Sequence, residues 1–201
     1  MAKIRLTKNE LKKQKDSLKM FKRYLPTLIL KKQQLQGEIR ITELRLKELE
    51  AERDDIYKAY ISWVAVFGET GIFTADILKI TKIKTSVGNI AGVAIPVFEN
   101  AEFSTALYDL TLTPLWLDQA VEKLKAMLLI DIEAKIVEEQ RQRLAHELKI
   151  TTQRVNLFEK VKIPETIGNI KKIQVYLGDQ QTSAVVRGKI AKSGLEKAAK
   201  Q

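Results

Sequence analysis

By residue type, the strongest candidate for acid–base or metal chemistry in this chain is its single histidine, His146, set between Ala145 and Glu147. A general base or metal ligand needs partners, and the sequence has no cysteine and no second histidine to supply them. His146 lies in a charged helical pattern and reads as an exposed helical side chain. The adjacent carboxylates Asp54-Asp55 and Glu138-Glu139 could in principle share a proton, but they too fall in charge-rich helical stretches. Solvation and helix ion pairing explain them. Gly88 and Gly92 lack the Lys-Ser/Thr continuation of a phosphate-cradling loop. These residues point to no catalytic, cofactor-binding or metal site, and to a chain that is not an enzyme in its own right.

The elements that would position such residues are long. From the first segment, Leu11, Leu18, Leu25, Lys32, Ile39, Leu46, Arg53 and Tyr60 recur every seven residues. Gln14, Phe21, Leu28, Leu35, Thr42, Leu49, Ile56 and Trp63 form a second such series. This pattern outlasts the three or four heptads that mark a coiled coil, and predicts a helix about 80 Å long that needs a partner helix. Thr7 and Glu10 have capping-box spacing at its start. Pro26 is expected to kink or break it. Lys32 and Arg53 in the seam can lay their stems on apolar surface while their charges reach water.

A second patterned segment supplies the partner. Pro114 after Thr113 suits a helix start. Leu117, Val121, Leu124 and Leu128 form one stripe. Met127, Ile130, Ala134, Val137, Arg141, Leu144, Leu148, Thr151, Val155 and Phe158 form another, with a stutter-like change of phase near Met127–Ile132. The pattern weakens at Val161–Pro164, resumes with Ile167, Ile170, Ile173 and Leu177, and is expected to be capped by Gly178. Between the segments, Ile77–Val87 and Val93–Phe98 flank Gly88-Asn89 and Gly92 and read as a β-hairpin, with Pro96 near an edge or end. Because a lone hairpin is marginal in water, it should lean on a helix, for which Ala101–Leu112 is the candidate.

The fold expected is mainly α: a long antiparallel two-helix coiled coil with a small mid-chain β-hairpin region. Its parts are an N-terminal helix over 1–65, a hairpin-bearing middle over 66–113, a C-terminal helix over 114–178 and a basic tail over 179–201, whose polar, small residues allow it to move. Antiparallel folding would set Leu46 level with Leu128 and Leu25 level with Leu148.

The chain carries 35 Lys and Arg against 25 Asp and Glu, a net charge of +10. Lys8, Lys12 and Lys15 belong to a basic cluster at the start, and Lys171, Lys172, Arg187, Lys189, Lys192 and Lys197 to a sparser one near the end. Nucleic acid, an anionic membrane, an acidic protein sleeve and plain solvation are the options, and a protein partner is favoured because no nucleic-acid motif accompanies the charge. No apolar run reaches membrane-span length, and no signal-peptide pattern follows the basic start, so a cytoplasmic chain is expected.

Three stretches resemble the D subunit of the V-type/A-type rotary ATPases, in that family's order. They are Leu6-Thr7-Lys8-Asn9-Glu10-Leu11 with the Leu28–Leu35 region, Gly92-Val93-Ala94-Ile95-Pro96, and Arg154-Val155-Asn156-Leu157-Phe158-Glu159 leading to Ile163-Pro164. Two departures, Pro26 and the Gly178–Ser183 interruption, bear on the shaft tip. The resemblance implies a non-catalytic central-stalk rotor that transmits torque between an ion-driven membrane ring and a catalytic ATP-binding hexamer, with proton or sodium transport coupled to ATP synthesis or hydrolysis. It implies as partners the A/B-type hexamer, the small F subunit of the stalk and the subunit joining stalk to ring. The chain would lie peripherally at the cytoplasmic face, without a membrane span and without nucleic acid. By the same resemblance, Arg154, Asn156 and Glu159 serve shaft packing or partner contact; the exposed hairpin edge around Gly92 and Pro96 is expected to offer a lateral contact, and the basic cluster with Lys8, Lys12 and Lys15 to act as a bearing. A non-rotary coiled-coil scaffold and a basic nucleic-acid or membrane-surface binder are the competing readings.

Overall fold

The heptad-bearing segments are helical almost throughout. The computed structural model describes residues 4–64, 77–106 and 116–198. In order these form α1 (Lys8–Val64), β1 (Leu78–Ile90), β2 (Val93–Thr105), α2 (Trp116–Asn156), a π-helical turn (Leu157–Lys162) and α3 (Ile163–Ala198). The chain is mainly α, with a long helix pair and a two-stranded antiparallel hairpin. It divides into a terminal unit, Met1–Lys31 with Thr151–Gln201, and a middle unit, Lys32–Ile150.

In the terminal unit, the Glu10 amide donates to Thr7 Oγ1 at 3.3 Å, which is half of the expected capping box. The Glu10 carboxylate instead accepts from Gln14 Nε2 at 2.8 Å. Pro26 does not break α1, which runs through it. The Thr27 hydroxyl donates to the Tyr24 carbonyl at 2.8 Å, one of the local bonds available where a proline disturbs the ladder. Phe21 stacks on Phe158 with centroids 5.3 Å apart. That contact sets Leu25 near Arg154 rather than Leu148, roughly one and a half turns from the register expected. On α3, Thr166 and Ile173 are buried seven residues apart.

The cap expected at Gly178 is absent: α3 continues through it to Ala198. Gly178 has nothing within 4 Å of a would-be Cβ, so it weakens the helix without turning it. Residues 178–196 are exposed throughout.

In the middle unit the second heptad series of α1 is the buried one, with Leu35, Thr42 and Leu49 at 0, 7 and 1% exposure. The series containing Ile39 and Leu46 is half-buried, flanking that row. Arg45 reaches Glu133 on α2 through Nη2 at 2.8 Å and Nε at 3.2 Å. The seam cation Arg53 lies 3.9 Å from Asp131. These pairs set Leu46 near Ile132, about one turn from the expected Leu128. The apparent phase change in α2 has a second cause besides helix pairing. Ile132 and Ile136 pack on Ala101 of the hairpin, while Leu144 packs with Leu35. Two faces of one helix are buried, and each contributes its own stripe.

The strands are longer than the sequence suggests, thirteen residues each, paired from Leu78↔Thr105 to Ile90↔Val93 with irregularities at Ile80/Lys82 and Lys84/Thr85. Ala101–Thr105 is therefore strand rather than helix, and residues 107–112 lie outside the described residues, as does the Thr113–Pro114 helix start. The support the hairpin needs comes from α1 and α2: Ile95, 3% exposed, joins Leu35 and Leu144, and Ile77 joins Leu117 and Val121. Its turn is Ala91-Gly92, with φ of 51° and 79°, the positive pair that a two-residue hairpin loop uses. Asn89 Oδ1 accepts from the Gly92 amide at 2.9 Å and holds that turn.

Candidate functional site

The residues singled out for contact fall at three places. Lys8, Lys12 and Lys15 stand exposed in the first turns of α1, and none makes an ion pair among the described residues. Gly92 is the exposed tip of the hairpin. Pro96 is half-buried opposite Val87, and its carbonyl accepts from Gln140 Nε2 at 2.5 Å. The neighbouring Ala94 carbonyl accepts from Arg143 Nη1 at 3.2 Å. Pro96 thus helps seat the hairpin on α2, leaving outward side chains for any partner: Val87 is 81% exposed, and Ile80, Ile83 and Val97 are exposed with it.

Arg154, Asn156 and Glu159 lie along the junction of α2 and the π turn, all three exposed. Packing there belongs instead to Val155, which is buried, and to Phe158, stacked on Phe21. Neither Arg154 nor Glu159 makes an ion pair among the described residues.

The π turn has two local causes. The Ile163 amide donates to the Phe158 carbonyl, five residues back. The next residue, Pro164, has no amide to give and its ring would crowd the carbonyl of Lys160, so a widened turn relieves it. The second cause is register. Val137, Leu144, Thr151 and Phe158 step by sevens, as do Thr166 and Ile173, but Phe158 to Thr166 is eight. In an unbroken α-helix that extra residue would rotate the following stripe by about 100°. The π turn absorbs it and keeps Thr166 and Ile173 on the buried side. Sequence reasoning missed this, although the eight-residue step and Pro164 were its signal.

The charges that are perturbed lie in surface ion pairs. Arg141 holds the Glu138 carboxyl down to about 2, through hydrogen bonds of 2.6 and 2.7 Å, with Gln142 adding a third. Glu133 raises Arg45 through its hydrogen bond. Glu102 likewise raises Lys84 across the hairpin. Each perturbed group found its partner in a surface ion pair. His146 is exposed beside an open cleft of about 480 Å³ that also touches Val93, Arg143 and Glu147. Among the described residues no three or more His, Cys, Asp or Glu are placed to hold a metal ion, and no helix is long and apolar enough to cross a membrane.

An exposed, partly unpaired signature on a helix pair finds its counterpart in known proteins. The family model for the D subunit of ATP synthase matches residues 10–193. The chain belongs to the ATP synthase D-subunit family. It is 54% identical over 197 residues to the V-type ATP synthase D subunit of Borreliella burgdorferi, covering 98% of this chain and 97% of that one. The protein of the same description from Chlamydia caviae is 34% identical, over 96% of this chain and 94% of its own. That from Chlamydia trachomatis serovar L2 is 35% identical, over 96% of both. The family match spans residues of both units.

Proposed function

We propose that this chain is the non-catalytic central-stalk rotor of a V/A-type ATP synthase, carrying torque between an ion-driven membrane ring and a catalytic ATP-binding hexamer. The match to the D-subunit family over residues 10–193 carries the reading. An antiparallel helix pair with surface-paired charges supports it, because such a pair transmits position and offers no enclosed site for chemistry. The shaft works by asymmetry: it presents different side chains to equivalent neighbours, so each neighbour's conformational equilibrium is biased differently. Arg154, Asn156 and Glu159 contact a partner, the outer hairpin face around Gly92 and Val87 meets the small F subunit of the stalk, and Lys8, Lys12 and Lys15 act as a basic bearing. The parts 1–65, 66–113, 114–178 and 179–201 serve as shaft helix, lateral contact, return helix and tip. The complex lies peripherally at the cytoplasmic membrane face.

The test is to tag the chain, purify it gently from its own cells and weigh the co-purifying complex by native mass spectrometry. One copy per hexamer of nucleotide-binding subunits, with a small stalk partner, is expected. A self-associated coil or a different partner set would remove the rotor and leave a scaffold.

A further inference from the structure

The π turn does more than preserve register. Leu157 and Val161, toward its two ends, are 44 and 48% exposed. Leu157, one residue before Phe158, and Val161, three after it in the widened turn, both lie to one side of Phe158, and at roughly 100° per residue Met20 and Tyr24 lie the same way about Phe21. In an antiparallel pair joined through Phe21 and Phe158, those offsets fall on one side of the pair. Met20 and Tyr24 are 48 and 54% exposed, so four large apolar side chains share one side of the terminal unit near the Phe21–Phe158 contact. Around them stand Lys19, Arg23, Arg154 and Lys160, none in an ion pair among the described residues, with Asp16, Glu159 and Glu165 as the nearby acids, the last already paired with Lys162. An apolar patch ringed by unpaired cations is an incomplete interface.

We infer that Met20, Tyr24, Leu157 and Val161 form a docking surface for an apolar protein surface rimmed by Asp and Glu, and that the π turn holds Val161 within it. The charge of the terminal unit selects that chemistry: its sequence holds 20 Lys and Arg against 6 Asp and Glu, a net +14. The proposal rests on the stalk reading only for the complex in which the partner is sought. Deleting Lys160 makes the distinction sharp. It returns Thr166 to the seventh place after Phe158, so an ordinary α-helix satisfies the core, while Val161 swings by roughly 60° away from the patch.

The experiment places a photo-crosslinking amino acid at Leu157 in the full chain and purifies the tagged complex. Alongside it run Leu157→Ser/Val161→Ser, Met20→Ser/Tyr24→Ser and the Lys160 deletion. The expected result is a crosslink to an acid-rich protein segment, near-native melting for all variants, and about tenfold or greater loss of that partner's retention. Equal retention by every folded variant, or a crosslink to nucleic acid or to a segment without acidic residues, would overturn the patch. Failure of the stalk reading looks different: the unmodified chain then purifies without nucleotide-binding subunits, and the crosslink still reports on whatever partner covers Leu157.

Discussion

At the residue scale, one buried leucine and one exposed carboxylate show how differently side chains matter here. Leu144 is 0% exposed and meets both Leu35 and Ile95, so it joins both helices to the hairpin. Leu144→Ala should cost about 2–5 kcal/mol and Leu144→Met under about 1.5. Thermal melts of the pair of variants check the ratio. Glu138 behaves oppositely. Its folded carboxyl lies below its ordinary 4.5, at about 2, so its ion pair with Arg141 is fully formed above pH 4.5 and lost as pH falls toward 2. Because both partners are about a third exposed, the effect on stability is small. A carboxyl NMR titration should find Glu138 still ionised after the other acids have protonated as pH drops, and Arg141→Ala should return it toward 4.5.

Among the elements, the hairpin and the return helix were unequally legible. Seven-residue periodicity revealed the buried row Leu35–Thr42–Leu49 because packing against a neighbouring helix imposes that period. Gly92 revealed the turn because positive φ selects glycine, and Asn89 because its side chain can close a turn, while Ala91, the other positive-φ residue, gave no sign. The strand ends were hidden, since Ala101–Thr105 alternates too weakly to distinguish strand from helix without the α2 surface it covers. Gly178 misled because glycine stops a helix only where the chain must turn. Register was hidden as well: it depends on which charges meet, Arg45 with Glu133, and periodicity is blind to that. The run containing Arg154, Asn156 and Glu159 stood out in the sequence, but the π turn beside it did not. Gly88 gives the hairpin its own test. A Cβ there would lie 2.9 Å from Val97 Cγ2 and 3.4 Å from Ile95 Cγ1, both on stiff β-branched side chains. Gly88→Ala should cost about 1–3 kcal/mol, with faster amide exchange confined to the strands.

For the whole molecule, charge is partitioned by unit. The terminal unit's sequence sums to +14, while the middle unit has 15 basic against 19 acidic residues, −4, and together they give the chain's +10. Like charges this dense repel one another unless an anionic partner offsets them. Replacing Lys8, Lys12 and Lys15 with glutamine should therefore weaken assembly most at low salt and flatten its salt dependence above about 0.1 M, where screening falls to about 10 Å. Titrating complex recovery against salt for the variant and the parent chain decides this, and parallel curves would make the three charges incidental.

The free end of α3 has a consequence for proteolysis. With Phe21 on Phe158, Lys8 stands level with about residue 171, so the last stretch of α3 has no α1 opposite it. About twenty exposed residues containing Gly188 and Gly194 make a helix that is marginal alone in water. Such an end opens often, and Arg187, Lys189 and Lys192 offer cleavage sites whenever it does. Limited proteolysis of the isolated chain should therefore begin in this stretch.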